Sequence, residues 1–382
     1  MVSKTPYDLS AWLTGGLIPL WAARVIRPGE PGYVEYFNAD GTASASRKGK
    51  TTLVTARLVY VFSHAYCLHP TEQALEAARH GLQFLLNGCR GSDGRFRHSV
   101  NPDGTAIDDR SDLYDLAFVL FALSWYYRAT GERHVLDIAD SLMGFIETEL
   151  SHHAGGFMED SAGSLPRRQN PHMHLLEACH ALAEVSPDPR WLKRADNLVQ
   201  LMRTHFYDSS SGSLGEFFDD DLKSSAGEAG RRREPGHQFE WVWLLLHHGR
   251  LTGDVSMRAI ADNLFSFGSR HGFAGPLPAP AIDAVDPNGK PLESTRLLWP
   301  QTEYIKALIA RSELLNDGNA DQLLDSHLAL IFDRYLDPNT GFWVNQLDPN
   351  NQVIAAEIPV RVLYHLFLAF AEVCRVKNKR TE

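Results

Sequence analysis

A unit of roughly sixty residues recurs six times along the chain, and that recurrence limits the fold more than any single motif. Each unit has a long glycine-containing loop, an apolar-periodic helix, a tight turn and a second helix. Apolar residues at i, i+3, i+4 and i+7 mark helices near 7–26, 51–68, 71–87, 111–130, 133–149, 171–185, 188–205, 236–252, 255–271, 299–314, 319–335 and 359–376. Short turns such as His69-Pro70, Thr130-Gly131, Pro187-Asp188 and Thr252-Gly253 join these helices into hairpins. Much longer connections separate the hairpins, and long loops concentrate function. Each carries glycine beside an aromatic, as in Gly94-Arg95-Phe96, Gly156-Phe157, Gly215-Glu216-Phe217, Gly272-Phe273 and Gly341-Phe342-Trp343, which predicts short β-hairpins there.

Six helical hairpins can form an open solenoid or a closed ring. A solenoid needs polar capping repeats at its ends, whereas the last helix, 359–376, is among the most apolar. The sequence therefore predicts an all-α (α/α)6 barrel filling 1–382 as one domain, with six inner helices and the long loops gathered at one mouth. The composition, 44% hydrophobic and 22% charged over 382 residues, suits a large buried core. No linker interrupts it.

The formal charge of -10 argues against a nucleic-acid partner, since basic clusters are confined to Arg231, Arg232 and Arg233 and to Lys377, Lys379 and Arg380 near the end. The N-terminal apolar run is broken by Gly15, Gly16 and Pro19, and no stretch approaches ~18 uninterrupted apolar residues. A cytoplasmic protein without membrane contact, monomeric or homodimeric, is the expectation. Cys67, Cys89, Cys179 and Cys374 lack CxxC spacing and read as reduced thiols.

If the helix after each long loop is the inner one, its first turns face the mouth, and every such helix places polar groups there. The second helix carries Arg57, with Tyr60 and His64 on the same face; the fourth carries Tyr114 beside Asp115. The sixth carries Asn170, His174 and Glu177, the eighth His237, Glu240 and Trp241, the tenth Trp299 and Glu303, and the twelfth Arg361 and His365. His172 lies ~200° round the helix from Asn170, so His174 is the better candidate of the HxH pair. Blander uses compete: Arg57 and Glu303 as a buried ion pair, Trp241 and Trp299 as core, Glu177 as an orienting carboxylate for His174. His64, His80, His180, His247 and His248 read as structural histidines.

Several histidines, an arginine, carboxylates and tryptophan, with no nucleophile motif, no phosphate loop and no GxGxxG, suit proton transfer on a hydroxyl-rich substrate. One imidazole removes a carbon-bound proton, another returns it or moves a hydroxyl proton, and Arg57 stabilises the enediolate. The opposed faces of His172 and His174 and the absence of HExxH argue against a zinc site, and no metal or cofactor is expected.

Six segments carry a resemblance. They are Thr55-Ala-Arg-Leu-Val-Tyr-Val-Phe62, Asp112-Leu-Tyr-Asp-Leu-Ala-Phe118, Asn170-Pro-His-Met-His-Leu-Leu-Glu-Ala178, Pro235-Gly-His-Gln-Phe-Glu-Trp241, Trp299-Pro-Gln-Thr-Glu303 and Tyr364-His365. Together they resemble the N-acylglucosamine 2-epimerase superfamily, and within it the mannose isomerase and sulfoquinovose isomerase branch. The resemblance implies an (α/α)6 barrel that isomerises or epimerises a monosaccharide through an enediol without metal or redox cofactor; the N-acylglucosamine enzymes respond to nucleotide, but the chain carries no phosphate-binding loop and no ATP requirement is expected. It implies His237 and His365 as the acid/base pair. Arg57, Asn170, His174 and Glu240 would hold substrate and stabilise the enediolate, with Tyr114 and Glu303 in support. Trp299 offers a face to the sugar, and Arg233 matches a substrate-binding arginine that precedes the Pro-Gly-His motif. The leading expectation is D-mannose to D-fructose isomerisation, with D-lyxose as a further substrate. A 2-epimerase, a sulfoquinovose isomerase, an (α/α)6 glycoside hydrolase or lyase, and a helical scaffold are the alternatives.

Overall fold

The computed structural model describes residues 5–6, 8–44, 49–355 and 357–379. Tyr7, the expected start of the first helix, and Arg380 of the C-terminal basic cluster lie outside the described residues. Twelve helices build an (α/α)6 barrel. The inner ones are α2 (Thr52–Leu68), α4 (Leu113–Thr130), α6 (Gln169–Val185), α8 (Pro235–Thr252), α10 (Trp299–Leu315) and α12 (Leu363–Lys379), the last entered through a 3-10 turn, Val360–Val362. The outer helices are α3 (Glu72–Phe84), α5 (His134–Glu149), α7 (Arg190–Leu201), α9 (Arg258–His271) and α11 (Ala320–Arg334). The outer α1 runs in three consecutive pieces, Leu9–Ala11, the π-helical Trp12–Leu17 and Ile18–Val25. Single π-helical turns, Leu85–Cys89 and Met202–Phe206, extend α3 and α7, and a one-turn helix, Gly227–Arg231, stands in the loop before α8 without a periodic signal in the sequence.

The burial pattern explains which helix went where. Residues 54–65 of α2 are buried on every face, the signature of a helix surrounded by others, whereas α7 buries only a stripe, Trp191, Ala195, Leu198 and Val199. Start and stop signals act locally: Asp112 Oδ1 accepts from Tyr114 N at 2.9 Å, proline opens α8 and α10, and Gly131 and Gly253 end α4 and α8 with left-handed backbone. The ring closes because α12 packs against both α10 and α2. Tyr36–Asn38 pairs antiparallel with Glu357–Pro359, lacing the first long loop to the last.

Short ladders tie the other loops together just before the inner helices. Arg167–Arg168 pairs with Phe217–Phe218 ahead of α6, and Arg296–Leu297 with Gln346–Leu347 ahead of α10. The expected glycine-aromatic hairpins are present as antiparallel bridges, Arg90 with Phe96, Ser151 with Phe157, Phe273 with Ala281 and Leu336 with Trp343. Every inner helix thus begins from a loop fixed to its neighbours, which positions its first turn. The four cysteines are unpaired, and no helix among the described residues is long and apolar enough to cross a membrane.

Candidate active site

The N-terminal turns of the inner helices surround a cavity of about 300 Å³. Its lining includes Arg57 and Tyr114 from α2 and α4, Asn170 and His174 from α6, His237 and Glu240 from α8, Trp299 from α10 and His365 from α12. The loops add Arg168, Glu234, Leu297, Asn345 and Arg361. A second cavity, about 440 Å³, lies at the C-terminal ends of the same helices, and it is there that His64, His180 and His247 are found. His64 therefore sits at the far end of the barrel from the mouth, because it is two turns further along α2 than Arg57. The charges there neutralise one another, Arg128 with Glu184 and Arg375 with Glu313, so the mouth holds the uncommitted chemistry.

Two histidines pack against the Trp299 indole, whose ring centroid is 4.8 Å from that of His237 and 5.8 Å from that of His365. This packing requires Gly236, since a Cβ there would lie 2.5 Å from the Trp299 ring. Both imidazoles are 6% exposed, yet their surroundings push them in opposite directions. Burial alone would make His237 a weaker base, but Glu216 and Glu234, with Glu240 beyond them, hold it up at about 9. Its Nδ1 donates to Glu216 Oε2 at 2.8 Å, with Glu234 Oε2 at 3.2 Å. His365 is pushed well below the ordinary range by burial and by the positive charges of Arg57 and Lys306. Its Nδ1 donates to Glu303 Oε1 at 2.8 Å, which leaves Nε2 as the free lone pair.

Arg57 is held in a box of aromatic rings, its guanidinium carbon 4.1 Å from the Phe118 centroid and 4.8 Å from that of Tyr364. It donates from Nη2 to Tyr114 Oη at 2.7 Å and from Nη1 to the Arg361 carbonyl at 3.2 Å, so its orientation is set before any ligand enters. His174 is kept neutral, down at about 3, by burial and by Arg57 and Lys306 against the pull of Glu240, and donates from Nδ1 to Glu177 Oε2 at 3.0 Å. Glu177 also accepts from Tyr364 Oη at 2.7 Å. It is the orienting carboxylate that the i, i+3 spacing suggested. Both oxygens of Glu240 and Oδ1 of Asn170 are buried without a hydrogen-bond partner, although each residue lines the cavity. Buried acceptors of this kind are costly unless a ligand supplies the donors.

Two expectations, for Arg233 and Glu303, need correction. Arg233 does not line the cavity: its guanidinium is spent on Ser213 Oγ, Asp208 Oδ2 and the carbonyls of Gly230 and Arg232, because it fastens the loop before α8 to its neighbours. Glu303 lies behind His365 rather than in the cavity, and its ion pair is with Lys306 at 2.6 Å, not with Arg57. Trp241 takes the core use that the sequence left open, its Nε1 donating to Gln169 Oε1 at 2.6 Å. Asp115 is turned away as well, accepting from His98 Nδ1 at 2.7 Å. His172 is fixed outside the site, accepting at Nε2 from Phe157 N and donating from Nδ1 to the Arg168 carbonyl. Sequence reasoning missed Glu216, Glu234, Arg168 and Lys306. Glu216 and Arg168 come from segments without a period; Glu234, the N-cap of α8, lies three residues before His237, and Lys306 lies one turn after Glu303 on the same helix face, spacings that pointed to both.

Groups of carboxylates and imidazoles converge closely enough to hold a metal ion in three places around the site, Glu240-Glu303-His365, His174-Glu177-Glu240 and Glu216-Glu234-His237. In each, the imidazole Nδ1 is already donating to a carboxylate, and in the first the Lys306 ammonium occupies the carboxylates.

The sequence model of N-acylglucosamine 2-epimerase (GlcNAc 2-epimerase) matches residues 32–369. The chain belongs to the N-acylglucosamine 2-epimerase family. A protein of Rhizobium meliloti (strain 1021) named mannose-6-phosphate isomerase is 32% identical over 96% of this chain and 95% of its own length. A cellobiose 2-epimerase of Bacteroides fragilis is 27% identical over 66% of this chain and 67% of its own. The crystal structure of a D-mannose isomerase superposes with a TM-score of 0.87 at 21% identity, covering 97% of this chain and all of that one, which shows the shared barrel. Both isomerases and epimerases thus stand among the relatives of this family member, and the architecture is common to them.

Proposed function

We propose that this member of the family is an aldose-ketose isomerase interconverting D-mannose and D-fructose, with D-lyxose as a further substrate. The observation that carries the reading is the pair of cavity histidines packed on Trp299, His237 beside the carboxylates of Glu216 and Glu234 and His365 beside a Glu303 already paired with Lys306, because surroundings that push an acid and a base apart are what a proton shuttle needs. His365 Nε2 removes the C2 proton and delivers it to C1 on the same face of a cis-enediol. In ring opening the His237 imidazolium gives its proton to O5 and takes the O1 hydroxyl proton in return; it then protonates O1 as the enediol forms and recovers a proton from O2 as the ketone forms. Arg57 faces the enediolate oxygens, and Glu240 and Asn170 accept sugar hydroxyls. A cavity of about 300 Å³ is at the small end for ligand pockets, which suits a monosaccharide better than a glycan chain.

The test is NMR of the purified protein with D-mannose in D2O, without added metal or nucleotide. Fructose as first product supports the isomerase, and glucose as first product makes the protein a 2-epimerase instead. His237→Asn and His365→Asn should each abolish turnover and leave the fold intact; near-normal turnover in either variant ends this assignment. A second substrate follows from the rim, where Arg168 and the exposed Arg361 line the cavity and favour an anionic substituent. With a relative named mannose-6-phosphate isomerase, mannose 6-phosphate is the ester to assay beside mannose, and sulfoquinovose the sulfonate. A lower KM for the ester than for the free sugar supports that reading.

A further inference from the structure

Lys306 lines neither cavity and is 0% exposed. A lysine in such a place is rare unless its charge is used. Its Nζ lies 2.6 Å from Glu303 Oε2 and 3.6 Å from Glu240 Oε1, with the Trp243 ring 4.5 Å away on another side. Glu303 is thus gripped at both oxygens, by the Lys306 ammonium at Oε2 and by His365 Nδ1 at Oε1. We propose that Lys306 is a positioning residue for the base of this site: by keeping Glu303 a pure acceptor, it fixes the His365 proton on Nδ1 and leaves Nε2 bare toward the cavity.

The argument follows from the charges around Glu303. Burial and the neighbouring carboxylates, Glu240 on α8 and then Glu177 on α6, carry Glu303 above the usual carboxylate range, and the Lys306 ammonium 2.6 Å from Oε2 is the group that opposes them. His365, on α12, feels in addition Arg57 from α2, His174 from α6 and His237 from α8, all of which keep it from taking a second proton. With Lys306 removed, the strongest opposition to a proton on Glu303 is gone, and the protonated carboxyl becomes a donor at Oε1. A carboxylic acid donating to Nδ1 forces the imidazole into the Nε2–H tautomer, which has no lone pair to accept a proton from a substrate carbon. His365 would still be present, neutral and correctly placed, and it would be unable to act as the base.

The kinetic consequence rests on the isomerase reading above; the spectroscopic one does not. Long-range 1H–15N correlation spectra of the substrate-free protein, with His365 assigned by its loss in His365→Asn, should show the Nδ1–H tautomer in the native protein. Lys306→Met should show Nε2–H. In mannose isomerisation the acid limb of kcat in Lys306→Met should rise by about 1–3 pH units, so that kcat at pH 7 falls at least about tenfold and recovers at alkaline pH while KM changes little. Lys306→Arg, which keeps the charge, should retain the native tautomer and limb. An Nε2–H tautomer in the native protein overturns the proposal, as does a folded Lys306→Met with native tautomer and native limb. If Lys306→Met does not fold, the native tautomer and Lys306→Arg still decide. If no sugar is turned over, the function is wrong and the tautomer still answers for Lys306.

Discussion

Replacing Glu216 by glutamine tests whether His237 is the acid. In the native protein Glu216 Oε2 accepts from His237 Nδ1 at 2.8 Å, and Glu234 Oε2 is 3.2 Å from the same nitrogen. Burial opposes a charged imidazole, but the carboxylates outweigh it and carry His237 from the ordinary 6.5 to about 9. That difference corresponds to about 3 kcal/mol in favour of the imidazolium. Glutamine keeps the size and the acceptor oxygen and removes the charge. One opposite charge at this range is worth about 1–3 pH units, so His237 in Glu216→Gln should titrate between about 6 and about 8. The alkaline limb of kcat/KM for mannose should move down with it, and rates below about pH 6 should change least.

Two further readouts bear on the same change. A group whose folded-state value is raised contributes stability that is complete below its unfolded value and is lost as pH rises through the folded one. For His237 that window runs from 6.5 to about 9. The Tm difference between native protein and Glu216→Gln should therefore be greatest below the window and shrink across it. The His237 Cε1–H titration in the substrate-free protein gives the value without turnover. A folded variant whose His237 titration and alkaline limb both stay at the native position would refute the reasoning.

Two other variants probe packing and placement. Gly236→Ala puts a methyl group 2.5 Å from the Trp299 ring, so the indole against which the two histidines pack must move; kcat/KM should fall by about 10–100-fold, with thermal unfolding reporting a smaller loss of about 1–3 kcal/mol. Native kinetics in that variant would show that the Trp299 position is immaterial. Arg233→Met removes a buried guanidinium bonded to Ser213, Asp208, Gly230 and Arg232, and should cost about 3–5 kcal/mol by chemical denaturation while leaving the KM for mannose unchanged. A raised KM at native stability would put Arg233 back among the substrate ligands.

Helical periodicity made the barrel legible, because inner and outer helices bury different numbers of faces and so carry different apolar patterns. The same regularity exposed the first-turn residues: Arg57, His174, His237, Glu240 and His365 all recur at one end of a helix that follows a long loop, and all line one cavity. Much of what stayed hidden came from places without a period. Glu216 stands beside Phe217–Phe218, whose pairing with Arg167–Arg168 ties that loop across the barrel mouth, and Glu234, the N-cap of α8, meets His237 as its i, i+3 neighbour. Arg233 was misplaced for the complementary reason. Two residues before Pro235 it has no helical phase to say where it points, and a short bridge to Val285 turns it into the loop structure. The partner of Glu303 was a matter of helix geometry, since Lys306 at i+3 reaches it directly whereas Arg57 is already engaged by Tyr114 and the Arg361 carbonyl.

The two site histidines begin from the same chemistry, and what separates them is the charge behind each carboxylate they touch. His237 donates to Glu216, whose other contacts are the neutral Gln169 amide and the Glu234 backbone N–H, and it also faces Glu234, which shares its charge with Arg232. Most of the negative charge there is answered only by His237 itself, so the imidazole keeps its proton. His365 donates to Glu303, whose charge is answered by Lys306, with Arg57 adding positive potential from across the cavity. There a second proton on the imidazole is opposed on two sides, so the ring stays neutral. On the proposed assignment, burial, Arg57 and a lysine in the layer behind the cavity together set the base apart from the acid in two similar His-Glu pairs, and part of that distinction comes from a residue that does not line the cavity.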